Sequence, residues 1–292
     1  MFKKLSLALL FIPVALNAKI HYPPNVKQSD VVQAVDEGKV IMAWDIHKVL
    51  AARDKKAHGG ASAVLSSCKK ELASILFKDL PWTMVTGRPT RGAALKKDLN
   101  ALAAAIKALG INDPSGEPYV LIFEKNGYTD FPKAIEAATS NYIPQPGMQE
   151  IVDEIANNNI EQRFASSIGP RMLVTLKNKF KNIFNSPLLD RILPGKVVDY
   201  SQFGSTPLDK TNLSSELAPT GKPTPAFYQG FLREYVNPTT GKNLAVFVDD
   251  SLDNVLAAAK EGMIAIHFDA TKPNTQAIAE LRKDLTELSI LK

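Results

Sequence analysis

Residues Lys39 to Leu50 read KVIMAWDIHKVL, and the reading of this stretch decides the fold. Val40 to Trp44 form an unbroken apolar run that ends at a carboxylate, Asp45. A short run that is apolar on both faces predicts a strand inside a parallel sheet with helices on either side. Such sheets bind their ligands outside the carboxyl ends of the strands. Asp45 is therefore placed where this architecture does chemistry. Taken alone, it reads first as the cap of a following helix. The remainder of the chain changes that balance.

Outward from this strand, further apolar runs predict strands at Ile160–Ala165, Val197–Val198, Leu244–Val248 and Met263–Phe268. Between them, helical spacing covers Met148–Ala156, Pro170–Phe184, Ala226–Tyr235 and Ser251–Gly262, with a terminal amphipathic helix at Thr275–Leu291. A short helix capped by Ser29 or Asp30 runs to Glu37 ahead of the first strand, after an extended lead-in at His21–Asn25. Strands alternating with helices imply an α/β fold: a Rossmann-like, three-layer core around a parallel sheet. Residues 51–142 interrupt it. They open on a mixed-charge linker to Gly59-Gly60 and continue as alanine- and leucine-rich helical spacing. Pro144-Gln145-Pro146-Gly147 marks the return. The expected organisation is a core of 19–50 and 143–292 with a mostly helical cap at 51–142.

The 292 residues are 45% hydrophobic, enough for one large core or a core with a smaller domain. The formal net charge of +5 is mild, and no stripe of Lys and Arg interleaved with aromatics argues for nucleic acid. A single cysteine, Cys68, rules out an internal disulfide and a Cys/His zinc cluster. There is no HExxH, no P-loop and no GxSxG elbow. Met1–Ala18 pairs Lys3 and Lys4 with an apolar run from Leu5 to Leu16 and a small residue, Ala18. That is the layout of a cleaved secretory signal peptide, too short to span a bilayer as a stable helix. Its alternative is a retained first helix. The expected location is exported, periplasmic or secreted, with no stable membrane span after cleavage.

Polar groups follow three predicted strands: Asp45, Ser166 and the pair Asp249-Asp250. Lys222 opens a helix between the last two. All strand carboxyl ends of a parallel sheet lie along one edge, so these groups can converge. Carboxylates on neighbouring strand ends suit Mg²⁺, which takes a few carboxylates with water and phosphate oxygens. A lysine supplies a point charge for phosphate, and a serine after a strand supplies a hydroxyl or N–H for a phosphate oxygen. An aspartate between metal and lysine can act as a nucleophile. The bland readings are helix-capping acids at Asp249-Asp250, a turn serine, a surface lysine and a helix-surface amide at Asn254. The aromatic cluster Phe227, Tyr228, Phe231 and Tyr235 reads as helix core rather than a base-stacking platform. Arg88 and Arg91 read as solvated arginines.

In order and type, these residues resemble the haloacid dehalogenase superfamily of hydrolases, in its phosphatase branch. The first motif of that superfamily is matched by Asp45-Ile46-His47-Lys48-Val49, and the second by Arg163-Phe164-Ala165-Ser166, with Ser167 the second choice. The lysine motif is matched by Lys222 in GKPTPAFYQGFL, and the acidic motif by VFVDDSLDNVLAAAKEGM with Asp249, Asp250 and Asn254. The resemblance covers Val40–Val49 and Pro144–Phe268, and the insertion falls where that superfamily places a cap. It implies Asp45 as nucleophile, Ser166 and Lys222 as phosphate-binding residues, and Mg²⁺ held by Asp45, Asp249, Asp250 and the backbone carbonyl of His47. Asn254 would play a supporting part.

His47 is the departure. The phosphatases carry a second Asp there, which protonates the leaving oxygen and then activates water. Imidazole is competent for both transfers near neutral pH. As a cation beside Mg²⁺, however, it would be disfavoured. Lys48 also replaces a customary small residue. Two functions are therefore expected. One is a Mg²⁺-dependent phosphatase acting on a small phosphorylated substrate through an aspartyl-phosphate. The other is an exported, catalytically weak or inactive relative that binds a macromolecular partner. Branches with other residues at this position act on carbon–halogen or carbon–phosphorus bonds.

Overall fold

The computed structural model describes residues 19–54, 124, 129, 130, 133, 142–197 and 221–292. The expected leader at 1–18, the insertion outside the residues just given, Arg88, Arg91 and the polar loop after Ser201 lie outside the described residues.

Strand β2 (Val40–Trp44) sits at the centre of a six-stranded sheet and is buried along its whole length. It pairs in parallel with β7 (Leu244–Asp249) on one side and β5 (Glu161–Ala165) on the other. Beyond β7 lies β8 (Ile264–His267), also parallel; beyond β5 lies β6 (Leu193–Lys196), again parallel. A two-residue antiparallel strand, β1 (Ile20–His21), closes the β8 edge. The expected lead-in thus includes an edge strand. The remaining two strands, β3 (Ala51–Arg53) and β4 (Tyr142–Pro144), form a separate antiparallel pair. Residues 51–53, expected as the start of a linker, are a strand because residues 142–144 supply their partner.

Side-chain alternation in the strands makes two cores. Val40, Met42 and Trp44 of β2 join Val246 and Val248 on one face, where helices α1 (Gln28–Asp36), α2 (Met148–Asn157), α3 (Pro170–Phe184) and α6 (Asn274–Glu287) cover them. Ile41 and Ala43 join Ala245 and Phe247 on the other face, under α4 (Pro225–Tyr235) and α5 (Leu252–Lys260). The molecule is an α/β fold with a mostly parallel sheet between two helical layers. Phe227, Tyr228 and Phe231 lie in the second core, as their helical spacing predicts. One polar relay crosses the first core. Trp44 Nε1 donates to Gln162 Oε1 at 3.0 Å, and Gln162 Nε2 donates to the Val152 carbonyl at 2.9 Å. It ties β2, β5 and α2 together with its donors satisfied.

Two helix details differ from expectation. Lys27, not Ser29 or Asp30, is the N-cap of α1; Asp30 lies one turn in and accepts the Lys27 N–H at 2.8 Å. An acid there still answers the exposed N–H groups and the positive end of the helix dipole. The outer strand also lies at Leu193–Lys196, earlier than Val197–Val198. Pro194 and Gly195 read as loop residues, yet a proline is tolerated on an edge strand.

Gly195 leaves no room for a side chain between this edge strand and its neighbour. A Cβ there would stand 2.0 Å from the Phe164 carbonyl oxygen and 2.6 Å from its nitrogen. Both are backbone atoms and cannot swing aside. The register between β5 and β6 shifts at the same point, between Arg163 and Ala165. Gly195→Ala is expected to lower stability by about 3 kcal/mol or more, as overpacking against fixed backbone does. Urea unfolding reads this directly. A loss below about 1 kcal/mol would mean that β6 adjusts freely.

Asp284 is a second stability determinant, far from the sheet edge. It is 7% exposed, and among the described residues its Oδ2 has no hydrogen-bond partner. Burial pushes its carboxyl up, and the Glu287 charge adds to this against the pull of Lys19. The folded chain therefore holds this proton more tightly than the unfolded chain does. Its contribution is greatest at low pH and is lost as pH rises from the ordinary aspartate range, about 3.9, through the higher folded value. Asp284→Asn is expected to stabilise the protein at pH 7 by about 1 kcal/mol and to flatten that part of the pH–stability curve. An unchanged profile would remove Asp284 from the account.

Candidate active site

The expected site residues sit at strand ends and helix starts, except His47, which lies in the turn between β2 and β3. Asp45 follows β2 directly, and its N–H extends the ladder to the Val248 carbonyl at 3.0 Å. Ser166 follows β5; its N–H donates to the Lys196 carbonyl at 3.0 Å. Asp249 closes β7 with its side chain fully buried, and its carbonyl takes the Phe268 N–H at 2.9 Å. Backbone pairing therefore places these side chains before any of them touches another. Lys222 comes from the segment leading into α4 and is joined to Pro223 by a cis peptide bond. Its backbone N–H donates to Ser167 Oγ at 3.2 Å.

The side chains meet. Lys222 Nζ donates to Asp45 Oδ1 at 2.6 Å and to Asp249 Oδ2 at 2.5 Å. Ser166 Oγ donates to the same Asp45 Oδ1 at 2.8 Å. Asp249 Oδ1 accepts from Ser251 N–H at 2.8 Å and Asn254 Nδ2 at 2.9 Å. Asn254 is thus the residue that orients Asp249. The hydrogen bonds on the Asp45 carboxylate all fall on Oδ1; among the described residues Oδ2 accepts none. The Lys222 ammonium also lies 5.2 Å from the Phe247 ring centre, within cation–π range.

The electrostatics are those of a buried ion-paired cluster. Burial alone would pull the Lys222 amine down, but the charges of Asp249 and Asp45 and the hydrogen bonds to both outweigh it and hold it above its ordinary value. Burial pushes the Asp249 carboxyl up, the Asp45 charge adds to the push, and Lys222 and the Ser251 N–H oppose it. These two directions pull against each other across one pair. The geometry favours the charged pair, because every partner of Asp249 just named is a donor, and donors stabilise a carboxylate. Burial likewise pushes the Tyr228 hydroxyl well up, so it stays neutral and donates to the Asn254 carbonyl at 3.0 Å.

Asp45, Asp249 and Asp250 each offer a carboxylate oxygen, and these atoms lie within 4.8 Å of one another. Three hard oxygen donors fit Mg²⁺. No imidazole nitrogen of His47 belongs to that cluster. The His47 ring is buried edge-on against Tyr142, with centroids 4.8 Å apart and planes at 75°. Tyr142 belongs to β4, nearly a hundred residues further along the chain, so nothing in the sequence pairs the two. Sequence reasoning also missed the partner of Lys48, whose Nζ donates to Asp250 Oδ2 at 2.6 Å. The only signal in the sequence is a lysine where the motif takes a small residue.

No family model matches the chain, and no curated protein matches it. Among solved structures, the chain is similar to a HAD family hydrolase from Deinococcus radiodurans R1 with bound phosphate and sodium. The two are 16% identical, the match covers 86% of this chain and 97% of that one, and the TM-score is 0.40.

Proposed function

We propose that this chain is a hydrolase of the haloacid dehalogenase type, a Mg²⁺-dependent phosphatase acting on a small phosphorylated compound. One observation carries the reading: Asp45, Ser166, Lys222 and Asp249, drawn from four separate segments, form a single hydrogen-bonded group at the carboxyl edge of the sheet. Capping acids, a turn serine and a surface lysine would have no reason to meet.

In this reading Asp45 Oδ2 attacks phosphorus while Oδ1 is held by Lys222. A bond forms between Oδ2 and phosphorus, and the bond from phosphorus to the leaving oxygen breaks. His47 gives that oxygen a proton. Water then attacks phosphorus, His47 takes its proton, and the bond to Asp45 breaks to release phosphate. An ammonium has three donors, and two of those on Lys222 are on carboxylates, so the third serves a phosphoryl oxygen. Ser166 has one hydroxyl proton, and it serves a second phosphoryl oxygen by turning from Asp45 Oδ1 to the phosphate. Mg²⁺ on Asp45, Asp249, Asp250 and the His47 carbonyl would neutralise phosphoryl charge and make phosphorus more electrophilic. Asn254 keeps Asp249 turned to the site. Export is proposed from Met1–Ala18; among the described residues no helix is long and apolar enough to cross a membrane.

The test is phosphate release from a broad panel of phosphomonoesters, in MgCl₂ and in EDTA. Turnover that requires Mg²⁺ supports the phosphatase. Phosphate release indifferent to EDTA keeps the phosphatase and removes the metal from it. No turnover from well-folded protein moves the function to binding a macromolecular partner.

A further inference from the structure

Lys48 adopts a left-handed backbone, φ 60°, a conformation that side chains other than Gly, Asn and Asp seldom take. The turn around it imposes this. Lys48 N–H donates to the Ala51 carbonyl at 2.7 Å, while the N–H groups of Leu50 and Ala51 both donate to the Ile46 carbonyl, at 3.0 and 2.8 Å. The turn leads straight into β3, whose pairing with β4 anchors it. From that backbone the ammonium reaches Asp250 Oδ2 at 2.6 Å, with the Asp250 side chain only 15% exposed. The Lys48 side chain is itself 40% exposed, so the pair sits at the rim of the site with its acid turned inward.

We infer that Lys48 is a tethered cation that occupies the Asp250 carboxylate in place of the divalent ion and so sets a weak metal affinity at this site. Asp45, Asp249 and Asp250 carry three negative charges, and Lys222 and Lys48 supply two positive ones, leaving −3 + 2 = −1. Divalent-ion affinity is tuned by the count of ligand charges, and an ion entering here must displace the Lys48 ammonium or sit beside it. Lys48 thus acts on the metal through Asp250 and is a positioning residue. The inference rests on the proposed hydrolase reading only in placing the ion among these three carboxylates.

Isothermal titration of the full-length protein with MgCl₂, and separately with MnCl₂, tests it. Lys48→Met keeps the aliphatic stem and removes the charge. It is expected to bind Mg²⁺ roughly tenfold to thirtyfold more tightly than the wild type, the size of the repulsion between a single and a double charge a few ångströms apart in a water-rich setting. Lys48→Arg, which keeps the charge, is expected to stay within about threefold of the wild type. Adding Asp250→Asn to Lys48→Met is expected to lose the gain. Equal affinities for the wild type and Lys48→Met overturn the inference, as does weaker binding or no binding by Lys48→Met. The two readings fail separately. Mg²⁺-dependent turnover with no effect of Lys48→Met on affinity leaves the hydrolase standing alone. A tightened ion in a protein without turnover leaves the Lys48 inference standing alone.

Discussion

Asp45→Asn is expected to cut phosphate release by about 10³-fold or more on any substrate the panel identifies, since removing a nucleophile costs on that scale. Asparagine has the same shape and keeps an oxygen to accept from Ser166 and Lys222, both of which bond Asp45 Oδ1. The atom it loses is the anionic Oδ2, and a carboxamide nitrogen cannot attack phosphorus. Stability should change little, because Lys222 keeps its second partner, Asp249. Steady-state turnover and the urea midpoint, measured on the same preparation, separate chemistry from folding. An active Asp45→Asn protein would remove Asp45 from the reaction and with it the aspartyl-phosphate.

Lys222→Met should lower stability by about 3–5 kcal/mol, the cost of breaking a buried ion pair from one side. The three side chains involved are nearly closed to solvent, with Lys222 at 4%, Asp45 at 7% and Asp249 at 0% exposure. Without the ammonium, two carboxylates share a dry site with no counter-charge between them. Methionine preserves the length of the aliphatic stem, so the loss reports charge rather than volume. The loss should shrink as pH falls. In the variant a carboxyl of the pair is held above its unfolded value, so protonating it restores stability below that folded value. Pairing Lys222→Met with Asp249→Asn should recover part of the loss at pH 7. A change below about 1 kcal/mol in the single variant would place Lys222 in the weak class of surface ion pairs.

Much of the core was legible in the sequence because parallel strands buried on both faces leave an unmistakable mark. Val40–Trp44 and Leu244–Val248 are apolar at every position, and they pair side by side at the centre of the sheet. The helices were legible from their spacing and their glycine and proline ends. The outer strand at Leu193–Lys196 was not, because Pro194 and Gly195 carry no strand signal and pairing with β5 decides it. Nor was the β3–β4 pair, whose two strands lie about ninety residues apart in the chain.

At the site, the sequence by itself determined the cast: three acids, a serine and a lysine, each at the end of a strand or the start of a helix. Parallel order forces strand ends to one edge, so the convergence of Asp45, Ser166 and Asp249 follows from local pattern. Only the tertiary structure decided the contacts that cross between loops. Tyr142 walls in His47, and Lys48 rests on Asp250. Each joins residues whose spacing along the chain carries no period, and each depends on the few ångströms that backbone pairing sets between one loop and the next.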